Sequence, residues 1–141
     1  MVQRWSDLEG RTVLVVDDNE DTRIVLATML EAHGATVETV ASVADARTAL
    51  AQRVPDVLVT DLAMPVEDGF DLLEYCRHHA DQRLQSLPIL ALTAYGGQEA
   101  HDRVLAVGFD AYLAKPVEPT EVGRVVRQLS LAKSRGPAED A

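Results

Sequence analysis

The chain has 141 residues, 47 % of them hydrophobic, which is one domain by length and enough apolar material for a full core. Its 13 Lys and Arg against 23 Asp and Glu give a formal charge of -10 at pH 7, which disfavours binding to nucleic acid or anionic lipid and turns the search for partners toward proteins. The apolar runs are strand-length and follow no basic start, so neither a signal peptide nor membrane insertion is expected and the setting is read as cytoplasmic; the single cysteine, Cys76, excludes an internal disulfide and reads as a core-side helix residue.

Residues 1–10, with Trp5 and Leu8 at no clear period, read as a lead-in or linker, at most loosely packed on the domain. Thr12 to Val16 (TVLVV) is a buried-strand run that ends in Asp17-Asp18. Asp18 or Asn19 can cap a helix from Glu20 to about Ala32, whose Val25/Met29 and Leu26/Leu30 pairs fall at helical spacing before Gly34 closes it. Thr36 to Val40 is the next strand, and Ser42 with Asp45 three residues on opens a helix to about Arg53 with Val43, Ala46 and Leu50 on one face. After Pro55, the run Val57-Leu58-Val59 leads to Asp61. An acid at the end of a core run is poorly explained by burial, whereas Met64-Pro65 and Asp68-Gly69 return the chain to the surface.

A helix from Phe70 to about His79 follows, striped by Leu72, Leu73 and Cys76, then a polar loop and a strand from Pro88 to Thr93. Gly96-Gly97 marks a loop before a helix from about Gln98 to Val107, which Gly108 caps. Ala111 to Ala114 is a short strand ending in Lys115-Pro116, and Val122, Val125, Val126 and Leu129 stripe a last helix. Residues 132–141 read as a disordered tail. Five strands alternating with five helices over residues 11–131 predict a doubly wound α/β domain, its parallel sheet covered on both faces through right-handed crossovers.

Four of the five strands end in chemically committed residues: Asp17-Asp18, Asp61, Thr93 and Lys115. Singly, each has a plain reading as a helix cap, a strand residue or a surface lysine. Together they fall at one edge of a parallel sheet, where ligands bind. Three crowded carboxylates repel one another unless a cation neutralises them, and an all-oxygen cluster suits Mg²⁺. Lys115 offers a fixed positive charge and Thr93 a hydroxyl, the groups needed to hold phosphoryl oxygens, which leaves Asp61 as a carboxylate nucleophile.

The set VVDD, TDLAMP-x-x-DG, ALTA and YLAKP resembles the receiver domain of two-component response regulators, from about Arg11 to Leu129. The resemblance implies a flavodoxin-like sheet in the order 2-1-3-4-5, an order for which a chemotaxis receiver is a standard example. It implies that Asp61 accepts a phosphoryl group, that Asp18 and Asp61 ligate Mg²⁺ with the backbone carbonyl of Ala63, and that Asp17 acts mostly through water. Lys115 is then the phosphoryl contact, Thr93 the switch hydroxyl and Tyr112 the aromatic switch, although an aromatic near a sheet edge is also a packing residue. Lys115-Pro116 resembles the family's cis peptide, and Ala63 and Tyr95 flank the path of a hydrolytic water. The implied partners are a histidine kinase or histidine phosphotransfer protein as donor and a downstream protein or attached output module. The flanking runs resemble receivers of hybrid sensor kinases.

Two rivals fit less well. An aspartyl-phosphate phosphohydrolase uses a second acid two residues after the nucleophile, where this chain has Ala63, so catalysis is expected only on its own Asp61. A flavodoxin-like cofactor carrier needs a phosphate loop after the first strand, where this chain has acids. His33, His78, His79 and His101 are expected to be solvated or to cap helix ends, and Glu67-Asp68 to be solvated. The run Gly108-Phe109-Asp110-Ala111-Tyr112 lacks the paired acids of receivers that dimerise through their fourth and fifth helices, so no such dimer is expected.

Overall fold

The computed structural model describes residues 7–94 and 96–139, with side chains for all of these except 119 and 133–139. Its strands are β1 (Thr12–Val16), β2 (Thr36–Val40), β3 (Val57–Asp61), β4 (Ile89–Thr93) and β5 (Ala111–Ala114). Its helices are α1 (Glu20–Ala32), α2 (Val43–Gln52), α3 (Gly69–Arg77), α4 (Gln82–Gln85), α5 (Gln98–Ala106) and α6 (Pro119–Glu139). The strands pair in parallel as one sheet in the order β2-β1-β3-β4-β5, as the resemblance implied.

Alternation along the strands divides the core in two. Leu14, Leu58, Ile89 and Ala91 face one way and meet Val43, Leu50, Leu72, Leu73 and Phe109. Val13, Val15, Val57, Val59, Leu90 and Leu92 face the other way, against Leu26 and Leu30 of α1 and Val122 and Val126 of α6. β3 and β4 are buried along their whole length, whereas β2 is a largely exposed edge. The register pairs Val16 with Thr60, Asp61 with Leu92 and Thr93 with Ala114, so four strand ends arrive at one level.

The caps explain where helices begin. Asn19, and not Asp18, caps α1 by accepting from the Thr22 N–H, and Ser42 accepts from Asp45 to start α2. Asp68 and Asp71 form a reciprocal capping box that starts α3 at Gly69, one residue before the expected Phe70. Gly69 is required by close approach: a Cβ there would stand 2.6 Å from the Asp61 carbonyl oxygen.

Three departures from the sequence reading have physical causes. The polar loop after α3 contains α4, capped by Asp81 and held by the buried Leu84, so the described residues form six helices and not five; a one-turn helix is too short to show a period. Residues 7–10 are packed against the domain, with Leu8 fully buried and its N–H donating to the His33 carbonyl at 2.9 Å. Gly34, at φ +100°, lets the Glu9 backbone pass, since a Cβ would meet it at 3.0 Å. The backbone of α6 is helical as far as Glu139, past the point at 132 where the sequence reading ended the domain. Once the Val122–Leu129 stripe has nucleated the helix, propagation costs little through Leu131, Ala132 and Lys133, whereas Gly136 and Pro137 in the last turns work against it. Trp5 and residues 140–141 lie outside the described residues.

Candidate functional site

The strand ends bring the expected groups together. Asp17, Asp18 and Asp61 each present an oxygen within 4.8 Å of the others, with Asp17 and Asp61 buried and Asp18 exposed. Asp17 follows β1 and is fully buried; its Oδ1 accepts from the Asn19 N–H at 2.9 Å and its Oδ2 from Lys115 Nζ at 3.1 Å. Lys115 Nζ also stands 3.3 Å from Asp61 Oδ2, so one ammonium spans two carboxylates. The peptide bond between Lys115 and Pro116 is cis.

The electrostatics are unbalanced in an informative way. Burial, and then the charge of Asp17, push the Asp61 carboxyl above its ordinary value, although Lys115 and the Ala63 N–H pull it down. Burial works to lower the Lys115 ammonium, but its hydrogen bond to Asp17 and the charges of Asp17 and Asp61 prevail and raise it. Two buried acids therefore share one cation, and the cluster remains short of positive charge. An all-oxygen donor set of this kind fits a divalent cation such as Mg²⁺.

Beside the carboxylates runs a mostly apolar groove of about 360 Å³, lined by Ala63, Phe70, Thr93, Val104 and Tyr112 among others. Thr93 is buried at the end of β4, and the part-buried Tyr112 packs edge-on against the His101 ring, centroids 5.1 Å apart. The structure thus puts the two expected switch residues on one groove that Ala63 also lines. Tyr95 lies outside the described residues.

Other residues do more than the sequence suggested. Glu67, expected to be solvated, is held by both terminal nitrogens of Arg47 at 2.5 and 2.9 Å, tying the loop after β3 to α2. Arg77 donates to the carbonyls of Gln85, Leu87 and Gly108 and to Asp110, locking the approaches to β4 and β5. These partners are between 8 and 33 residues away in sequence, beyond any helical or strand spacing. His33 and His78 terminate α1 and α3 as expected, but His33 also contacts Asp7 at 2.7 Å. Burial pushes the Cys76 thiol up to about 11, as suits a core residue.

Residues 13–127 match the response regulator receiver domain family. A 14.6 kDa protein from the sodA1 3' region of Leptolyngbya boryana is 43 % identical over 85 % of this chain and 90 % of its own length. The transcriptional regulatory protein GltR of Pseudomonas aeruginosa is 38 % identical over 90 % of this chain, which spans only 53 % of GltR. Among solved structures, the receiver domain of the sensor histidine kinase PA1611 from Pseudomonas aeruginosa, with a magnesium ion coordinated in its active site cleft, superposes with a TM-score of 0.75 at 30 % identity, over 86 % of this chain and 98 % of that one. With the sheet order, the carboxylate cluster and its lysine already in place, these matches carry one conclusion: the chain belongs to the response regulator receiver domain family of two-component systems.

Proposed function

We propose that Asp61 is the phosphoacceptor, taking its phosphoryl group from a phosphohistidine on a histidine kinase or phosphotransfer protein. The observation that carries this reading is Lys115 Nζ within reach of both Asp17 and Asp61 oxygens at the edge where the strands end. A carboxylate oxygen of Asp61 attacks phosphorus, the P–N bond breaks with its electron pair returning to the imidazole, and an acyl phosphate remains on Asp61. The buried Asp61 has little solvation to lose on attack, and Lys115 is placed to hold the transferred oxygens. Asp18 and Asp61, the Ala63 carbonyl and, through water, Asp17 would hold Mg²⁺, which when bound neutralises phosphoryl charge. Catalysis is confined to the chain's own Asp61.

Thr93 then turns its hydroxyl to the new phosphoryl oxygens, and Tyr112 follows into the groove that both residues line. A downstream protein or an attached output module reads that change. Ile24 and Val25 of α1, 56 % and 49 % exposed, support donor docking beside the site, because Val25 shares a hollow with Lys115, Pro116 and Val117. Among the described residues no helix is long and apolar enough to cross a membrane. The test is intact-mass spectrometry after a small phosphodonor such as acetyl phosphate with Mg²⁺: wild type gains one phosphoryl mass and Asp61→Asn gains none. A gain of the same size in Asp61→Asn overturns the assignment.

A further inference from the structure

Between β3 and α3 the backbone makes a turn that its sequence does not favour. The Glu67 N–H donates to the Pro65 carbonyl at 2.8 Å, an i to i+2 bond, and the residue between them, Val66, sits at φ +71°. This is the strained form of the γ-turn. Val66 is the one non-glycine residue at positive φ among the described residues, and a β-branched side chain is among the least tolerant of that region. The residues that follow hold the strain in place: Glu67 is clamped by Arg47, Asp68 is fixed by its capping box, and the Gly69 N–H donates back to the Leu62 carbonyl at 2.9 Å. What the turn displays is an isopropyl group 103 % exposed, packed on nothing, five residues from Asp61. Neither packing nor local backbone preference accounts for a valine there.

We propose that Val66 is a specificity-determining contact for the phosphohistidine-bearing donor protein, kept in a strained turn so that its apolar side chain meets the donor at the lip of the site. This rests on the phosphoacceptor reading above. Val66 lies on the loop that leaves β3 at Asp61, so a protein donor seated on α1 and reaching Asp61 would also meet that loop, and the clamped turn presents an apolar group already ordered, so little conformational freedom is lost when it is covered. A small phosphodonor never touches it.

The experiment compares wild type with Val66→Asn and Val66→Gly, both of which tolerate positive φ. Three quantities are read: the urea midpoint, the rate of phosphorylation by acetyl phosphate with Mg²⁺, and kcat/KM for transfer from a phosphorylated histidine-phosphotransfer domain, the fastest wild-type donor of a panel. The urea midpoint should rise by about 0.5 M in both variants as strain is relieved. Acetyl phosphate labelling should be unchanged, while kcat/KM for the protein donor should fall about five- to twentyfold through KM, the worth of leaving one isopropyl group in water. Protein transfer at the wild-type rate, a midpoint that does not rise, or an equal loss with acetyl phosphate would each overturn the proposal. Wild type that accepts phosphate from neither donor would instead overturn the phosphoacceptor reading beneath it.

Discussion

Arg77 offers the sharpest test of how the site's frame is held. Its guanidinium donates to the carbonyls of Gln85 at 3.0 Å, Leu87 at 2.8 Å and Gly108 at 3.1 Å, and to Asp110 Oδ2 at 2.8 Å. Leu87 leads into β4 and Gly108 into β5, the strands that carry Thr93 and Lys115. Arg77→Met keeps most of the aliphatic stem and removes every donor. The part-buried Leu87 and Gly108 carbonyls are left unmet at about 1 kcal/mol each, while the exposed Gln85 carbonyl turns to water. The ion pair with Asp110, itself 41 % exposed, adds about 0.5 kcal/mol, and Asp110 keeps its bond from the Ile89 N–H. The expected loss is about 2–3 kcal/mol, a fall in Tm of about 6–12 °C for a chain of this length. Arg77→Lys should recover less than half of that, because a point charge cannot serve carbonyls on two loops at once. Urea unfolding followed by circular dichroism measures it: a loss below about 0.5 kcal/mol at unchanged m-value would refute the claim that the guanidinium joins these loops.

The remaining predictions concern the site. Mg²⁺ at tenfold its dissociation constant should stabilise wild type by about 1.4 kcal/mol, or about 3–5 °C by differential scanning fluorimetry, and an Asp18→Ala/Asp61→Ala double variant should show no such shift. In chelator at pH 7, Asp61→Asn should melt above wild type. The Asp61 carboxyl is raised in the folded state, so its ionisation costs stability as pH climbs above the ordinary value of 3.8, and urea midpoints for the pair should converge as pH falls toward 4. Phospho-Asp61 should decay slowly, since Ala63 has no side chain to orient water and Tyr95 is bulky; Ala63→Asn/Tyr95→Glu should lose label faster in a time course. Beryllofluoride should not produce a dimer through α5 and α6 in light scattering, because Ala111, directly before Tyr112, supplies no acid and Asp110 is already engaged by Arg77 and the Ile89 N–H.

The fold was legible because each level of the sequence agreed with the next. Strand runs TVLVV and AYLA fell at their observed bounds, and strands ending in acids, threonine and lysine could be aligned without coordinates. What escaped was of two kinds. One-turn α4 carries no period, and Leu8 is a single apolar residue whose burial depends on the far end of α1. The contacts of Arg77 and the Arg47–Glu67 clamp depend on loops meeting in space, and a charged side chain in a sequence looks the same whether it ties two loops or faces water; the turn at Val66 escaped because a β-branched residue gives no sign of positive φ. The split of Val25 from Leu26 belongs with these: both fit the helical spacing, but only Leu26 faces the core, leaving Val25 beside the site.

The three carboxylates also divide their work by what already occupies them. Asp17 has one oxygen bonded to the Asn19 N–H and the other to Lys115, and its carbonyl accepts from Arg23 at 2.8 Å, so it is fixed from several sides before any ligand arrives. A carboxylate engaged at both oxygens is better suited to orienting a metal-bound water than to moving onto the metal. Asp18 is exposed and can turn toward a cation at little cost. Asp61 is buried and only partly compensated by Lys115, and its raised carboxyl makes it the member of the cluster with most to gain from added positive charge. A cation that relieves Asp61 also prepares it, because the ionised carboxylate is the form that attacks phosphorus. On the reading proposed above, phosphorylation would replace one negative charge on the carboxylate by about two on the phosphoryl oxygens, a surplus that Lys115 and the Thr93 hydroxyl at the neighbouring strand end would meet.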